Sequence, residues 1–155
     1  MSPSPPPVLP AVFIGYFPKL QADVTAITGS ASEKYNCVAW ALGRPDEWWW
    51  PSRHAPDTVW NPAVEYEVTV SAFVALFQCE GFELCEHADL EPGFIKIAIY
   101  VKERIPTHVA RQLPDGQWTS KMGPGLCLTH RTLQSLEGDL YVGYGRVEVV
   151  MKRKV

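Results

Sequence analysis

The segment Leu113-Pro114-Asp115-Gly116-Gln117 constrains this chain more than any other. Proline suits the first position of a tight turn, aspartate the second, and glycine the left-handed position that closes a three-residue hairpin loop. Strand-like runs flank it at 107–113 and 117–122. A loop of this kind pairs Leu113 with Gln117, so Ala110 pairs with Ser120 and His108 with Met122. Paired residues share a face, so His108, Ala110, Ser120 and Met122 point the same way. Ser120 then lies diagonal to His108, about 7 Å away by backbone and within side-chain reach. A two-residue loop would instead bring Lys121 to that face, where its charge would depress the histidine pKa.

The rest of the chain supplies the partners of this hairpin. Residues 1–10 are rich in proline and serine and are expected to be a mobile or surface-hugging lead. Residues 11–155 are read as one domain, because 155 residues suit a single core. Residues 36–42 predict a short helix ended by Gly43 and Pro45. Residues 44–68, with WWWP and three further prolines, predict no regular structure. Residues 70–80 predict an amphipathic helix: Val70, Phe73, Val74 and Phe77 recur at helical spacing, and Gly81 stops it. Residues 94–102 alternate, with Ile95, Ile97, Ile99 and Val101 on one face. Thr129 is expected to cap a short helix over 130–137, ended by Gly138, and 144–152 to form the last strand. Helices first and an antiparallel sheet afterwards place the chain in the α+β class.

Among four cysteines, Cys37 stands apart. Asn36 is a favoured N-cap residue and sets Cys37 in the first helical turn. There the helix dipole and free amides favour thiolate over thiol and can receive an oxyanion. Faster iodoacetamide labelling than at the other three cysteines is expected, with a midpoint below the free value of about 8.5. Cys79 lies near a helix end, where the dipole opposes a thiolate. Cys85 and Cys127 lie in strand or loop text, and all three read as small buried residues. A thiol needs a base and an orienting group. His108 is the candidate base, and Ser120 is the orienting group that the hairpin register offers. The Cys37 amide and the Asn36 side chain are expected at the oxyanion. Trp49 and Trp50, from the Trp48-Trp49-Trp50-Pro51 run, are expected to wall a substrate groove. Trp118 reads as core.

Other classes are excluded or disfavoured. A net charge of −3 is too weak to point to nucleic acid or a membrane. The basic end Lys152-Arg153-Lys154 reads as a solvated tail, and Glu83, Glu86, Asp89 and Glu91 as a solvated face. The N-terminus lacks the early basic residues and unbroken apolar run of a secretory signal. The cytoplasm is therefore expected, or export without a signal peptide, and the cysteines are expected to be thiols. Cys79, Cys85 and His87 do not have the spacing of a zinc pair, and a fourth ligand would have to come from His54, Cys127 or His130. Neither a metal nor another cofactor is expected. Lys121 beside Ser120 suggests a Ser–Lys pair, but adjacent strand residues face apart. His130 reads as a packing or capping residue.

Asn36-Cys37 at a helix start, His108-Val109-Ala110 at a strand start and Ser120 on the next strand resemble the NlpC/P60-like branch of the papain-like cysteine hydrolases. YNCVAWALG, WWWP, THVARQLPDGQWTSKMG and LTHRTLQSLEG also resemble a family of small bacterial proteins of unassigned function, over most of 35–153. The superfamily resemblance implies a papain-like fold, with N-terminal helices on an antiparallel sheet. It implies a cysteine hydrolase of amide bonds in peptides, cell-wall peptides or side chains, with Cys37, His108 and Ser120 as its catalytic residues. Two alternatives stand beside it: a papain-like binding or regulatory module without turnover, and a bacterial effector or toxin using the same chemistry.

Overall fold

The computed structural model describes residue 5, residues 7–52 and residues 57–155. His54 and much of the proline-rich lead lie outside the described residues. In chain order the elements are α1 (Ala11–Tyr16), β1 (Val24–Gly29), α2 (Cys37–Leu42), β2 (Trp48–Trp49), β3 (Thr58–Val59) and α3 (Val70–Cys79). They continue with β4 (Glu83–Cys85), β5 (Phe94–Lys102), β6 (Ile105–Gln112), β7 (Trp118–Lys121), β8 (Cys127–His130) and β9 (Arg146–Lys154). A single 3-10 turn covers Gln134–Leu136.

The class is α+β. Seven strands form one antiparallel sheet in the order β1-β8-β7-β6-β5-β9-β4, and β2 and β3 make a separate parallel pair. The hairpin loop closes with Leu113 N donating to Gln117 O at 2.7 Å and Gly116 at φ +91°. Arg111 pairs with Thr119 and Gln112 with Trp118, which is the three-residue register. Lys121 accordingly faces away from His108. It is buried on the other side of the sheet, donating to Ser32 O at 2.8 Å and lying over the Tyr35 ring.

Each face of β5 feeds a different apolar layer. Ile97, Ile99 and Val101 pack with α2 and α3, where Phe73, Leu76 and Phe77 are fully buried. Each such aromatic or aliphatic side chain contributes roughly 2–3 kcal/mol by leaving water. Ala98 and Tyr100 face the second layer, with Phe17, Leu20, Trp118, Leu128 and Leu136. Leu9 is buried there too, and Gln21 ties the lead down by hydrogen bonds to Leu9 N and Pro7 O.

Several expectations need correction. No helix starts at Thr129. Residues 127–130 are strand β8, because Gly123, Pro124 and Gly125 turn the chain back on β7 and Lys121 pairs with Cys127. β1 and β4 are short edge strands that only their partners β8 and β9 stabilise. The basic end is the last part of β9: Lys152 bonds Glu91 at 2.9 Å, and Arg153 lies over Phe82. Among the described residues, no helix is long and apolar enough to cross a membrane.

Candidate active site

Asn36 builds the start of α2 from extended backbone, its Oδ1 accepting from Ala39 N at 3.2 Å. The same oxygen accepts from Trp49 N at 3.1 Å, and Nδ2 donates to Trp49 O at 2.8 Å. Gly43, at φ +74°, closes the helix as its C-cap. These bonds use the Asn36 carbonyl oxygen twice and one of the two Nδ2 hydrogens in joining α2 to β2. The Asn36 side chain, expected at an oxyanion, is thus committed largely to holding β2 against α2.

Cys37 is the first residue of α2 and is 5% exposed. Burial pushes its thiol up to about 11, outweighing the backbone N–H groups of Val109, Val38 and Cys37 that favour the thiolate. The Val109 amide is open to sulfur because β6 pairs with β7 only at its far end. The resting group is thus a neutral thiol, contrary to the expected thiolate. The helix position was read correctly, but desolvation decides its charge. Iodoacetamide should meet the exposed Cys79 first.

His108 sits on β6 opposite Tyr100 and is 1% exposed. Its Nε2 lies 2.9 Å from Ser120 Oγ, the diagonal contact that the hairpin register sets up. Its Nδ1 is buried with no hydrogen-bond partner among the described residues. The ring stacks on Tyr144 at 4.3 Å between centroids and 5° between planes. Cys37 and His108 wall one cavity of about 240 Å³, together with Asn36, Thr107, Gly123 and Tyr144. Trp48 and Trp50 complete the lining. Trp49, expected there, turns away: alternation along β2 sends it to the other side, where its indole donates to Glu47 and Arg44 covers its ring.

Ser120 has a second partner that the sequence reading missed. Its Oγ is 2.8 Å from His130 Nε2, and His130 Nδ1 is 2.7 Å from Thr132 O. The signal was Gly123-Pro124-Gly125, a hairpin loop. Reading it as one puts His130 diagonal to Ser120, as Ser120 is to His108.

Larger hollows lie elsewhere. One of about 680 Å³ lies by Trp40 and Arg111, and one of about 750 Å³ by Arg44 and Trp60. Neither is lined by a cysteine or a histidine. All four cysteines are free. Among the described residues, no group of three or more His, Cys, Asp or Glu is placed to hold a metal ion.

Both imidazoles are held neutral. Burial drives His108 well below the ordinary histidine value, and nearby His130 adds to this. Burial also lowers His130, partly offset by the Thr132 carbonyl and Asp23. A lowered folded-state pKa means the unfolded chain binds the proton first. The stabilisation is therefore present above the unfolded value, about 6.5, and is lost as pH falls toward the folded values. The melting temperature is expected to fall as pH drops below about 6.5, and less steeply in His108→Gln. Equal slopes for the two proteins would contradict a buried neutral His108.

The whole-chain comparison can now be set beside this geometry. Residues 26–152 match the family described as Domain of unknown function (DUF7689). The chain belongs to that family. The matched span contains Cys37, His108, Ser120 and His130, so the site lies wholly within the family's domain. No curated protein and no solved structure matches the chain.

Proposed function

We propose that this protein is a papain-like cysteine hydrolase acting on an amide bond, with Cys37 as nucleophile and His108 as base. One observation carries the reading: His108, which lines a cavity together with Cys37, keeps a buried ring nitrogen, Nδ1, that has no hydrogen-bond partner among the described residues. A buried polar atom without a partner is costly, by about 1–3 kcal/mol, and a catalytic role is one of the explanations for such an atom. Ser120 holds the opposite nitrogen and so orients the ring.

The steps follow from a neutral pair. A substrate carbonyl enters between Trp48 and Trp50. As sulfur attacks the carbonyl carbon, His108 Nδ1 takes the thiol proton, so no thiolate need exist beforehand. Backbone N–H groups at the start of α2 meet the developing oxyanion. The imidazolium returns its proton to the leaving nitrogen, the C–N bond breaks, and a thioester remains on Cys37. Water, deprotonated by His108, then releases the acid and restores the thiol. The partner is an amide-bearing molecule: a peptide, a cell-wall peptide or a side-chain amide. Free thiols throughout suit a reducing compartment such as the cytoplasm.

A second reading, a binding module without turnover, draws on the size of the cavity. About 240 Å³ is below the 300–1,000 Å³ or so typical of ligand pockets. A panel of peptide aminocoumarin amides separates the two. Hydrolysis predicts coumarin release that is lost in Cys37→Ala and in His108→Ala. Binding of panel members without release by the wild type would favour the module, and release that persists in Cys37→Ala would sink the hydrolase.

A further inference from the structure

Three hydrogen bonds in series link His108 to the backbone of Thr132, and their order of donors is fixed from one end. The terminal group is a carbonyl, which can only accept. His130 Nδ1, at 2.7 Å from it, therefore carries the proton. A neutral imidazole has one N–H, so His130 Nε2 is bare and must accept. Its partner at 2.8 Å is Ser120 Oγ, whose single hydroxyl proton is thereby committed. Ser120 can then meet His108 Nε2, at 2.9 Å, only as an acceptor. His108 Nε2 must carry that ring's proton, which leaves Nδ1 bare.

We infer that His130 is a positioning residue, which acts through Ser120 to hold His108 in the tautomer whose Nδ1 is free to accept a proton. Its bearing on catalysis rests on the reading of Cys37 as nucleophile; the proton order itself does not. The far end of the chain is anchored. Asp23 Oδ2 accepts from Thr132 N at 2.9 Å and from Thr132 Oγ1 at 3.0 Å, and Arg131 N donates to Asp23 O at 3.1 Å. The Thr132 carbonyl also accepts from Ser135 Oγ at 3.1 Å. The peptide that dictates the direction is thus held on both sides. The opposite order would put the proton on Nδ1, and that ring would have no lone pair to offer a thiol. Ser120, weak as an orienting group by itself because it carries no charge, becomes directional through its second histidine.

The test is a long-range ¹H–¹⁵N spectrum of the imidazoles in the whole protein at neutral pH, which reports which nitrogen of each ring bears hydrogen. His108 is expected as the Nε2–H form and His130 as the Nδ1–H form. In Ser120→Ala, His130 keeps its Nδ1–H because Thr132 is still there, whereas His108 loses its preference. In His130→Leu, the serine hydroxyl is free to donate, and His108 moves to Nδ1–H. His130→Gln, which retains an acceptor, restores the Nε2–H form. A loss of packing alone would not produce this opposite movement and rescue. His108 found as Nδ1–H in the wild type overturns the inference, whether or not Cys37 reacts. The expected tautomers with a Cys37 that never forms an acyl adduct would uphold the proton order while the hydrolase reading failed.

Discussion

Replacing Cys37 with alanine should leave the fold intact and, on the proposed function, abolish amide cleavage. Alanine fits a site packed among Val38, Ala39 and Val109, and no hydrogen bond that shapes α2 uses the sulfur: the cap is made by Asn36. With the proposed nucleophile gone, neither a water nor another side chain in the cavity can form the thioester. Cleavage should fall by more than about a thousandfold. The same variant carries a signature that needs no substrate. The folded thiol ionises near 11, raised from 9.0 by burial. The unfolded chain therefore loses its proton first, and the stabilisation present below about pH 9 is lost as pH rises toward 11. A shift of that size corresponds to at most about 3 kcal/mol. Urea unfolding of the wild type should weaken through this range, and Cys37→Ala should lack that step. Parallel alkaline profiles would mean that Cys37 is not the buried neutral thiol described.

The second large effect is expected at Gly145. A Cβ there would stand 2.1 Å from Val101 O and 2.8 Å from Val101 C, and the residue has φ +85°. Backbone atoms of β5, an interior strand, cannot yield as a flexible side chain would. Gly145 also anchors a loop by accepting from Gly138 N at 2.9 Å, and that loop presents Tyr144 to His108. Gly145→Ala should therefore cost about 4 kcal/mol or more, and displace the ring that stacks on the base. Gly93 is the control: its φ is +84°, but a Cβ there meets nothing within 4 Å. Gly93→Ala should cost only the conformational penalty, about 1–2 kcal/mol. Equal losses for the two in urea unfolding would show that the close approach to Val101 is not what fixes the loop.

These effects sit unevenly with respect to what the sequence makes legible. The His108–Ser120 contact is readable because Pro114, Asp115 and Gly116 suit a three-residue loop, and that loop, rather than the two-residue alternative, fixes the register seen. Cys37 is readable as a first-turn residue because Asn36 and Gly43 bracket six residues. Local chemistry suffices in both cases. It does not suffice for the charge of Cys37, since its helix-start amides argue for thiolate and its burial by distant strands argues more strongly against. Burial comes from β6 and the second half of the chain, and no local pattern records it. Trp49 and Trp48 exchange roles for a related reason. The two-residue strand that sets their alternation exists only because Thr58 and Val59 lie beside it. The contact of His130 with Ser120 is hidden by a local misreading, Thr129 taken as a helix cap in place of Gly123-Pro124-Gly125 as a turn. The edge strands β1 and β4 have no signature of their own, being exposed on much of their length and held by β8 and β9.

In the proposed function Cys37 and His108 work as one nucleophile–base pair, and acyl transfer tests that without knowledge of the natural substrate. The protein is treated with 4-nitrophenyl acetate, quenched in acid and mapped by peptide mass. A thioester at Cys37 is predicted, formed about 100-fold more slowly in His108→Ala. Acetylation confined to the more accessible Cys79 and Cys85, or an equal rate at Cys37 in both proteins, would contradict it.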